Sequence, residues 1–145
     1  MKIPGHPLHL MLIHFPSALF PVDLLYSVLA NYIWTVPLIY ASSLMTLSGT
    51  AFGWIAAITG MFDLSTVAKN RPGSVKKAMI HGFINTIVLM GYTVLSFLIL
   101  KHQPEFVKDS LTIQMTKACL VALMIGGNFI GGSLVLEDKV LDKNN

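Results

Sequence analysis

The 145-residue sequence has few charged side chains for its length. They make up 12% of the chain, about half the share that is usual in soluble domains. Ten cationic and seven acidic residues would cover the surface of a soluble domain of this size poorly. A lipid bilayer as solvent removes that requirement, and the mean hydropathy of +0.67 favours it. The composition therefore predicts an integral membrane protein that contacts the lipid bilayer.

Other missing features exclude further classes of protein. The single cysteine, Cys119, cannot form an intramolecular disulfide, and the chain has neither a CxxCH haem-attachment motif nor a CxxC zinc pair. The cations form no basic face, so nucleic acid is not expected as a partner. The serines have no histidine and aspartate at matching depth, and no glycine-rich loop of the phosphate-binding type is present. Hydrolase and nucleotide-binding functions are therefore not expected.

Four apolar runs dominate what is present. They cover about residues 7–33, 37–64, 75–100 and 111–136, each near the ~20 residues that cross a bilayer as a helix. The connections are short, which favours antiparallel neighbours in sequence order. The predicted fold is all-α, a single transmembrane domain over residues 1–145 built as an up-down-up-down four-helix bundle.

The distribution of cations predicts an orientation. With alternating spans, the loop between the second and third spans shares a side with both termini. That side carries seven cations and the opposite side three, Lys101, Lys108 and Lys117. The seven are Lys2, Lys69, Arg71, Lys76, Lys77, Lys139 and Lys143. Because cytoplasmic loops carry the excess of cations, we expect both termini in the cytoplasm.

Glycines recur at helical spacing in the second and fourth runs. The second contains Gly49-x-x-x-Gly53 and then Gly60, and the fourth contains Gly127-x-x-x-Gly131. Small residues at this spacing let two helices approach closely within a membrane. The same pattern could also leave room for a flat cofactor, and the motif by itself does not separate the two interpretations.

Two histidines stand at similar depth in the first and third runs. His14 lies seven residues beyond Pro7 and His81 seven beyond Ser74, so each is about 10 Å along its helix. The first and third helices of such a bundle are diagonal partners that face the same interior. We therefore expect His14 and His81 to be axial ligands of a haem b. His102 falls in the opposite loop and has no predicted role.

Further polar residues surround this pair on the same side of the membrane. His6 and His9 open the first run, and Asp63 and Glu137 fall near the ends of the second and fourth. Imidazoles and carboxylates together suit a transition-metal ion such as zinc, copper or iron, which is the alternative to haem. Histidines that only form hydrogen bonds between helices remain a third interpretation.

The rest of the predicted site lies beside His81. Asn85 is one helical turn away and could orient His81 or bond to a cofactor edge. Arg71, Lys76 and Lys77 are expected near haem propionates. Asp23 lies deep in the first run, where it could serve a proton path or form a hydrogen bond as a neutral acid. Pro16 and Pro21 should kink that helix.

These motifs resemble a known family, the DUF2231 family of small bacterial membrane proteins. The resemblance covers nearly the whole chain and includes Gly5-His6-Pro7-Leu8-His9, His14-Phe15-Pro16, Gly60-Met61-Phe62-Asp63, His81 with Asn85, and Gly126-Gly127 to Gly131-Gly132. Leu10 stands where that family usually has a second proline. Such domains are found fused to Rieske-type or cytochrome c modules, which implies electron transfer. The resemblance also implies a bacterial inner-membrane location and assigns His6, His9, His14 and His81 as the family's histidines.

Three functions are consistent with this sequence. The first is a membrane-embedded b-type cytochrome with bis-histidine haem ligation, which passes electrons between a membrane quinol and a redox protein partner. The second is a transition-metal-binding membrane protein. The third is a structural subunit of a membrane complex. An electron-transfer protein or subunit is expected rather than a stand-alone enzyme.

Overall fold

The structure is a computed structural model that describes residues 7–102 and 107–141. It contains five α-helices and one 3-10 turn, and no strand occurs in these two ranges. The helices are α1 (Pro7–Leu12), α2 (His14–Leu29), α3 (Thr35–Asn70), α4 (Val75–Lys101) and α5 (Leu111–Leu141), with the 3-10 turn at Pro72–Ser74. The all-α prediction is confirmed.

Four segments are long and apolar enough to cross a bilayer. They are His9–Leu29, Thr35–Lys69, Pro72–Lys101 and Leu111–Ser133. Helices α1 and α2 together form the first of them, and α3, α4 and α5 supply one each. The prediction of four membrane-spanning helices is confirmed.

The first span is interrupted at Ile13, between α1 and α2. Pro16 has no backbone N–H, so the carbonyl of Leu12 loses its usual helical donor one turn earlier. The Ser17 N–H still donates to the Ile13 carbonyl at 3.2 Å, and the chain continues as α2. Ile13 keeps helical dihedral angles (φ −64°, ψ −21°), so the kink expected from Pro16 and Pro21 stays a prediction.

Two boundaries differ from the predicted ones. Helix α3 continues to Asn70 instead of ending near residue 64, because residues 65–70 contain neither proline nor glycine. It ends at Arg71, which leaves the helical region (φ −146°, ψ 68°) as expected for a residue that precedes proline. The first span ends at Leu29, and the turn that follows includes Trp34 in the left-handed region (φ 40°).

The helices form a closed ring. Consecutive spans pack against each other, and α2 also packs against α5. Across the centre, the rings of Phe20 and Tyr92 stack with centroids 3.6 Å apart and planes 5° from parallel. Large apolar side chains such as Phe97 and Phe129 lie on the outside, 70% and 81% exposed. An apolar outer surface is what a bilayer requires.

The bundle differs in packing between two halves that follow one another along the helix axes, a packed half and an open half. Every side chain that is both described and buried falls within residues 20–30, 38–56, 88–96 or 114–127. In the other half, the side chains of residues 9–19, 57–69, 71–87 and 128–133 are all at least partly exposed. The packed half also holds many polar groups: nine buried side chains are polar or charged, against eleven hydrophobic ones. The predicted histidine positions fall in the open half.

Candidate histidine site and buried ion-pair network

His9 lies against the neighbouring helix α3. Its Nδ1 is 2.9 Å from the Ala56 carbonyl oxygen and 3.3 Å from Thr59 Oγ1. The ring covers Gly60 so closely that a methyl group added there would lie 2.8 Å from His9 Cε1. Gly60 therefore leaves the space that this imidazole occupies.

His81 contacts a carbonyl group and a glycine of helix α5 in the same way. Its Nδ1 is 2.7 Å from the Gly127 carbonyl oxygen. A methyl group on Gly131 would lie 2.6 Å from His81 Cε1 and 2.7 Å from Nδ1. Both glycines of the Gly127-x-x-x-Gly131 pair thus contact His81. Gly127 accepts a hydrogen bond through its carbonyl oxygen, and Gly131 leaves room for the ring because it has no side chain.

These contacts assign the donor atom of both rings. A carbonyl oxygen can only accept, so Nδ1 of His9 and of His81 carries a proton and donates. In the neutral ring Nε2 then presents a lone pair, and neither Nε2 makes a hydrogen bond within the part of the chain that the structure describes. Metal-ligating histidines typically have this arrangement, with the second ring nitrogen held by a carbonyl.

Asn85 lies one helical turn beyond His81, and its predicted role beside that ring stays a prediction. Its side-chain amide donates to the backbone carbonyl of His81 at 3.1 Å. The same amide nitrogen is 3.1 Å from His81 Nδ1. It also lies over Gly127, where an added methyl group would be 3.1 Å from the amide nitrogen. Asn85 therefore fills the space between His81 and α5.

His14 lies in a different environment. Its side chain is exposed, and its Nδ1 donates to the Leu10 carbonyl of its own span. It precedes the core residue Phe20 by six residues, which is a rotation of about 240° around the helix axis. His14 thus bonds to its own span, whereas His81 bonds to a neighbouring helix, although both lie in the open half.

The remaining predicted residues are spread over that half. Lys76 and Lys77 are exposed at the start of α4, and Arg71 and Asp63 are partly exposed. His6 lies outside the described residues, as does the side chain of Glu137, whose backbone continues α5. Within the described side chains, no three or more of His, Cys, Asp and Glu come together as a metal site.

A buried ion-pair network in the packed half was missed by the sequence reasoning. Lys117 Nζ lies 2.7 Å from Asp23 Oδ1 and 2.7 Å from Asp109 Oδ2, and Lys117 and Asp23 are 1% and 0% exposed. Helix α3 completes it, because Ser42 and Thr46 donate hydrogen bonds to Asp23 at 2.5 and 2.9 Å. Asp23 therefore has a cationic partner.

One signal in the sequence could have revealed this pair. Lys117 was counted among the loop cations, yet it falls six residues inside the fourth span. A lysine and an aspartate in two spans that alternate in direction can reach the same depth, and charges within a membrane usually pair. The orientation count therefore loses one cation from its smaller side.

The fold and these contacts define a class, a multi-span helical membrane protein with a polar interior. A family model described as "Predicted membrane protein (DUF2231)" matches residues 5–144. The chain belongs to this family, and the predicted resemblance is confirmed. No curated protein matches the chain, and no solved structure matches it.

Proposed function

We propose that this protein binds haem b and transfers electrons within the membrane, with His9 and His81 as the two axial ligands. One observation carries the proposal. Both imidazoles rest on a glycine of the neighbouring span, both donate Nδ1–H to a helix carbonyl, and both leave Nε2 available. Two neutral imidazoles prepared in this way are what a bis-histidine haem iron requires.

Their positions in the sequence support a common level. His9 precedes Phe20 by eleven residues, and His81 precedes Tyr92 by eleven. Eleven residues are about three full turns, so each histidine lies on the same side of its helix as the aromatic residue. Because Phe20 and Tyr92 stack across the centre of the ring, the two imidazoles should also face each other across it.

The neighbouring helices follow the same step. Gly49 lies against Phe20 and Gly60 against His9, again eleven residues apart on α3. On α5 the step from Leu120, in the core cluster, to Gly131, beneath His81, is also eleven. The register of all four spans therefore supports moving the predicted ligand of the first span from His14 to His9.

The ligand set favours haem over a bare metal ion. A structural or catalytic zinc ion takes at least three protein ligands, and the described side chains contain no such group. A haem iron needs two, since the porphyrin supplies the other four. The glycines Gly60 and Gly131 bring the two imidazoles against α3 and α5, which would hold both rings in place for a haem.

Haem in such a site supplies one-electron redox chemistry. The part of the protein is to hold the two imidazoles, to orient His81 through the Gly127 carbonyl, and to bind the propionates at a membrane surface. We assign that last role to Arg71, Lys76 and Lys77, which lie four to ten residues before His81. A membrane quinol and a redox protein are the proposed electron donor and acceptor.

The test is a visible spectrum of the full chain purified in detergent with haem supplied. We expect a Soret band and sharp α and β bands on reduction. His9→Ala and His81→Ala should each abolish the low-spin spectrum, and added imidazole should restore part of it because it can replace the missing ring. A wild-type protein that stays colourless would contradict the proposal.

Two matched variants sharpen this test. His102→Ala removes an exposed histidine whose Nδ1 donates to the Leu98 carbonyl of its own helix, and it should leave the spectrum unchanged. His14→Ala should also leave it unchanged if His9 is the ligand. Loss of the low-spin bands in His14→Ala, with His9→Ala unaffected, would restore the pairing expected from the sequence.

A further inference from the structure

A small polar cavity lies beside the buried ion pair, at the other end of the molecule from His9 and His81. Its polar lining comes from Ser27, Ser42, Ser43 and Asp109, and Ala30, Ile39 and Val107 complete the wall. The space holds about one water-sized molecule. It is separate from the histidine site and has no part in the proposed haem function.

The lining presents acceptor oxygens to this space. The Ser27 hydroxyl donates its proton to Asp109 at 2.7 Å, and the Ser42 hydroxyl donates to Asp23 at 2.5 Å. Each hydroxyl oxygen therefore has its proton directed at a carboxylate. Ser42 Oγ also accepts from Lys117 Nζ at 3.2 Å, so Ser27 keeps two lone pairs and Ser42 one for another partner. Asp109 accepts through Oδ2, and its Oδ1 adds a charged acceptor.

The Ser43 hydroxyl donates to no carboxylate among the described residues. It is 6% exposed and lines the cavity, yet its hydroxyl has no hydrogen-bond partner in residues 7–102 and 107–141. A hydroxyl that lines a cavity of a membrane protein without a partner is costly. This residue therefore indicates that the cavity holds something that the hydroxyl can bind.

The charges indicate what that is. Two carboxylates, Asp23 and Asp109, share the single ammonium group of Lys117, whose three protons point at Asp23, Asp109 and Ser42. With the carboxylates ionised, the network carries one net negative charge. The other titratable groups close by are Tyr92 of α4 and the exposed side chains of Lys108 and His102. A water molecule would satisfy the lone pairs, whereas a cation would also balance the charge.

We propose that this cavity binds one small monovalent cation. Carboxylate and hydroxyl oxygens are hard ligands, which suit a sodium-sized ion. Two species have the required size and charge, Na⁺ and the hydronium ion, and they would compete for the same oxygens. Asp109 supplies the charge, Ser27, Ser42 and Ser43 supply neutral oxygens, and Lys117 keeps the second carboxylate occupied.

The experiment measures thermal stability of the purified full chain while NaCl replaces choline chloride at constant ionic strength. We expect the Tm to rise with Na⁺ and to saturate. Ser43→Ala removes one neutral ligand and should raise the half-saturating Na⁺ concentration about tenfold, the cost of one lost polar contact of ~1.4 kcal/mol. Asp109→Asn should remove the Na⁺ effect altogether.

Ser48→Ala is the matched control. It changes an exposed serine of the same helix, five residues beyond Ser43, and should keep the wild-type Na⁺ response. If Na⁺ has no effect, hydronium binding predicts a pH-dependent Tm that Ser43→Ala reduces and Ser48→Ala does not. A Tm that Na⁺ and pH leave unchanged, or one that responds alike in both serine variants, would overturn the proposal.

Discussion

At the scale of single residues, the charges of Lys117 and Asp23 join helices in the packed half. A charged side chain inside a bilayer is costly, and pairing it with an opposite charge and hydrogen bonds offsets much of that cost. Here Asp23 receives hydrogen bonds from α3 and an ion pair from α5. Three of the four spans are thus joined through one carboxylate.

We expect Lys117→Met to destabilise the protein strongly. Methionine has a similar shape but leaves Asp23 and Asp109 without their shared cation. Removing one partner of a buried ion pair costs about 3–5 kcal/mol. The free energy of unfolding in detergent measures this loss.

The double variant Asp23→Asn/Lys117→Met gives the control for that measurement. It removes both buried charges and keeps an amide that Ser42 and Thr46 can still contact, so much of the lost stability should return. Equal instability of the single and double variants would show that the packing of Lys117 matters rather than its charge.

The sequence predicted the depth of the histidines better than their direction. Counting from Pro7 and Ser74 placed His14 and His81 at similar depth, which is a statement about distance along a helix. It does not specify rotation, and six residues before Phe20 place His14 on another side of its span. The proposed ligand His9 lies eleven residues before Phe20, whose ring stacks on Tyr92, but nothing in the sequence marks Phe20 as the central residue.

At the scale of the helices, histidine and glycine come from alternate spans. The first and third spans supply His9 and His81, and the second and fourth supply Gly60 and Gly131. The predicted use of these glycines was close helix packing or room for a cofactor. Gly60 and Gly131 each admit a histidine ring from the adjacent span instead of a helix backbone, and room for a cofactor stays a prediction.

Gly131→Ala should displace His81. The new methyl group would lie 2.6 Å from Cε1, so the ring must move and lose its 2.7 Å bond to the Gly127 carbonyl. Overpacking of this kind costs about 1–3 kcal/mol. A lower Tm in detergent and a lower haem content at equal protein concentration would measure both consequences.

Gly132→Ala provides the comparison on the same helix. Among the described residues, and apart from its chain neighbours and the backbone of its own helix, no atom lies within 4 Å of a methyl group added there. Alanine is also the better helix former by about 0.8–1.0 kcal/mol. Its stability should be equal to or above that of the wild type. Equal Tm and haem content in the Gly131→Ala and Gly132→Ala variants would show that the contact between Gly131 and His81 has no role.

At the scale of the whole molecule, hydropathy was sufficient for the fold class. Four apolar runs of the required length predicted four spans, and the ends of α2, α3 and α5 differed by a few residues. The interior was harder to predict. Buried serines and threonines such as Ser42, Thr46 and Thr50 have little effect on hydropathy, and their partners belong to other spans.

The same limit explains the polar network. A residue such as Asp109, in a short loop, gives no local sign that it reaches Lys117 inside a span. Ion pairs between distant residues depend on the register of the packed helices, which composition and periodicity do not contain. The structure thus adds a second polar centre to the one that the histidines predicted, and the two lie in opposite halves of the molecule.

The orientation of the whole molecule decides which centre meets which compartment. With Lys117 buried in the ion pair, the smaller side of the cation count retains Lys101 and Lys108 against seven. The positive-inside rule then places the start of α4 in the cytoplasm more firmly. The proposed haem site would lie near the cytoplasmic surface and the proposed cation site near the opposite one.

Labelling of single cysteines measures this orientation. Cys119→Ser removes the exposed native thiol, and Lys76→Cys or Lys108→Cys then adds one at an exposed position on either side. In intact cells, a maleimide that does not cross the membrane should modify Lys108→Cys but reach Lys76→Cys only after lysis. Labelling in the reverse order would invert the molecule, place the cation site on the cytoplasmic side, and require the proposed electron partners of the histidine site to be sought outside.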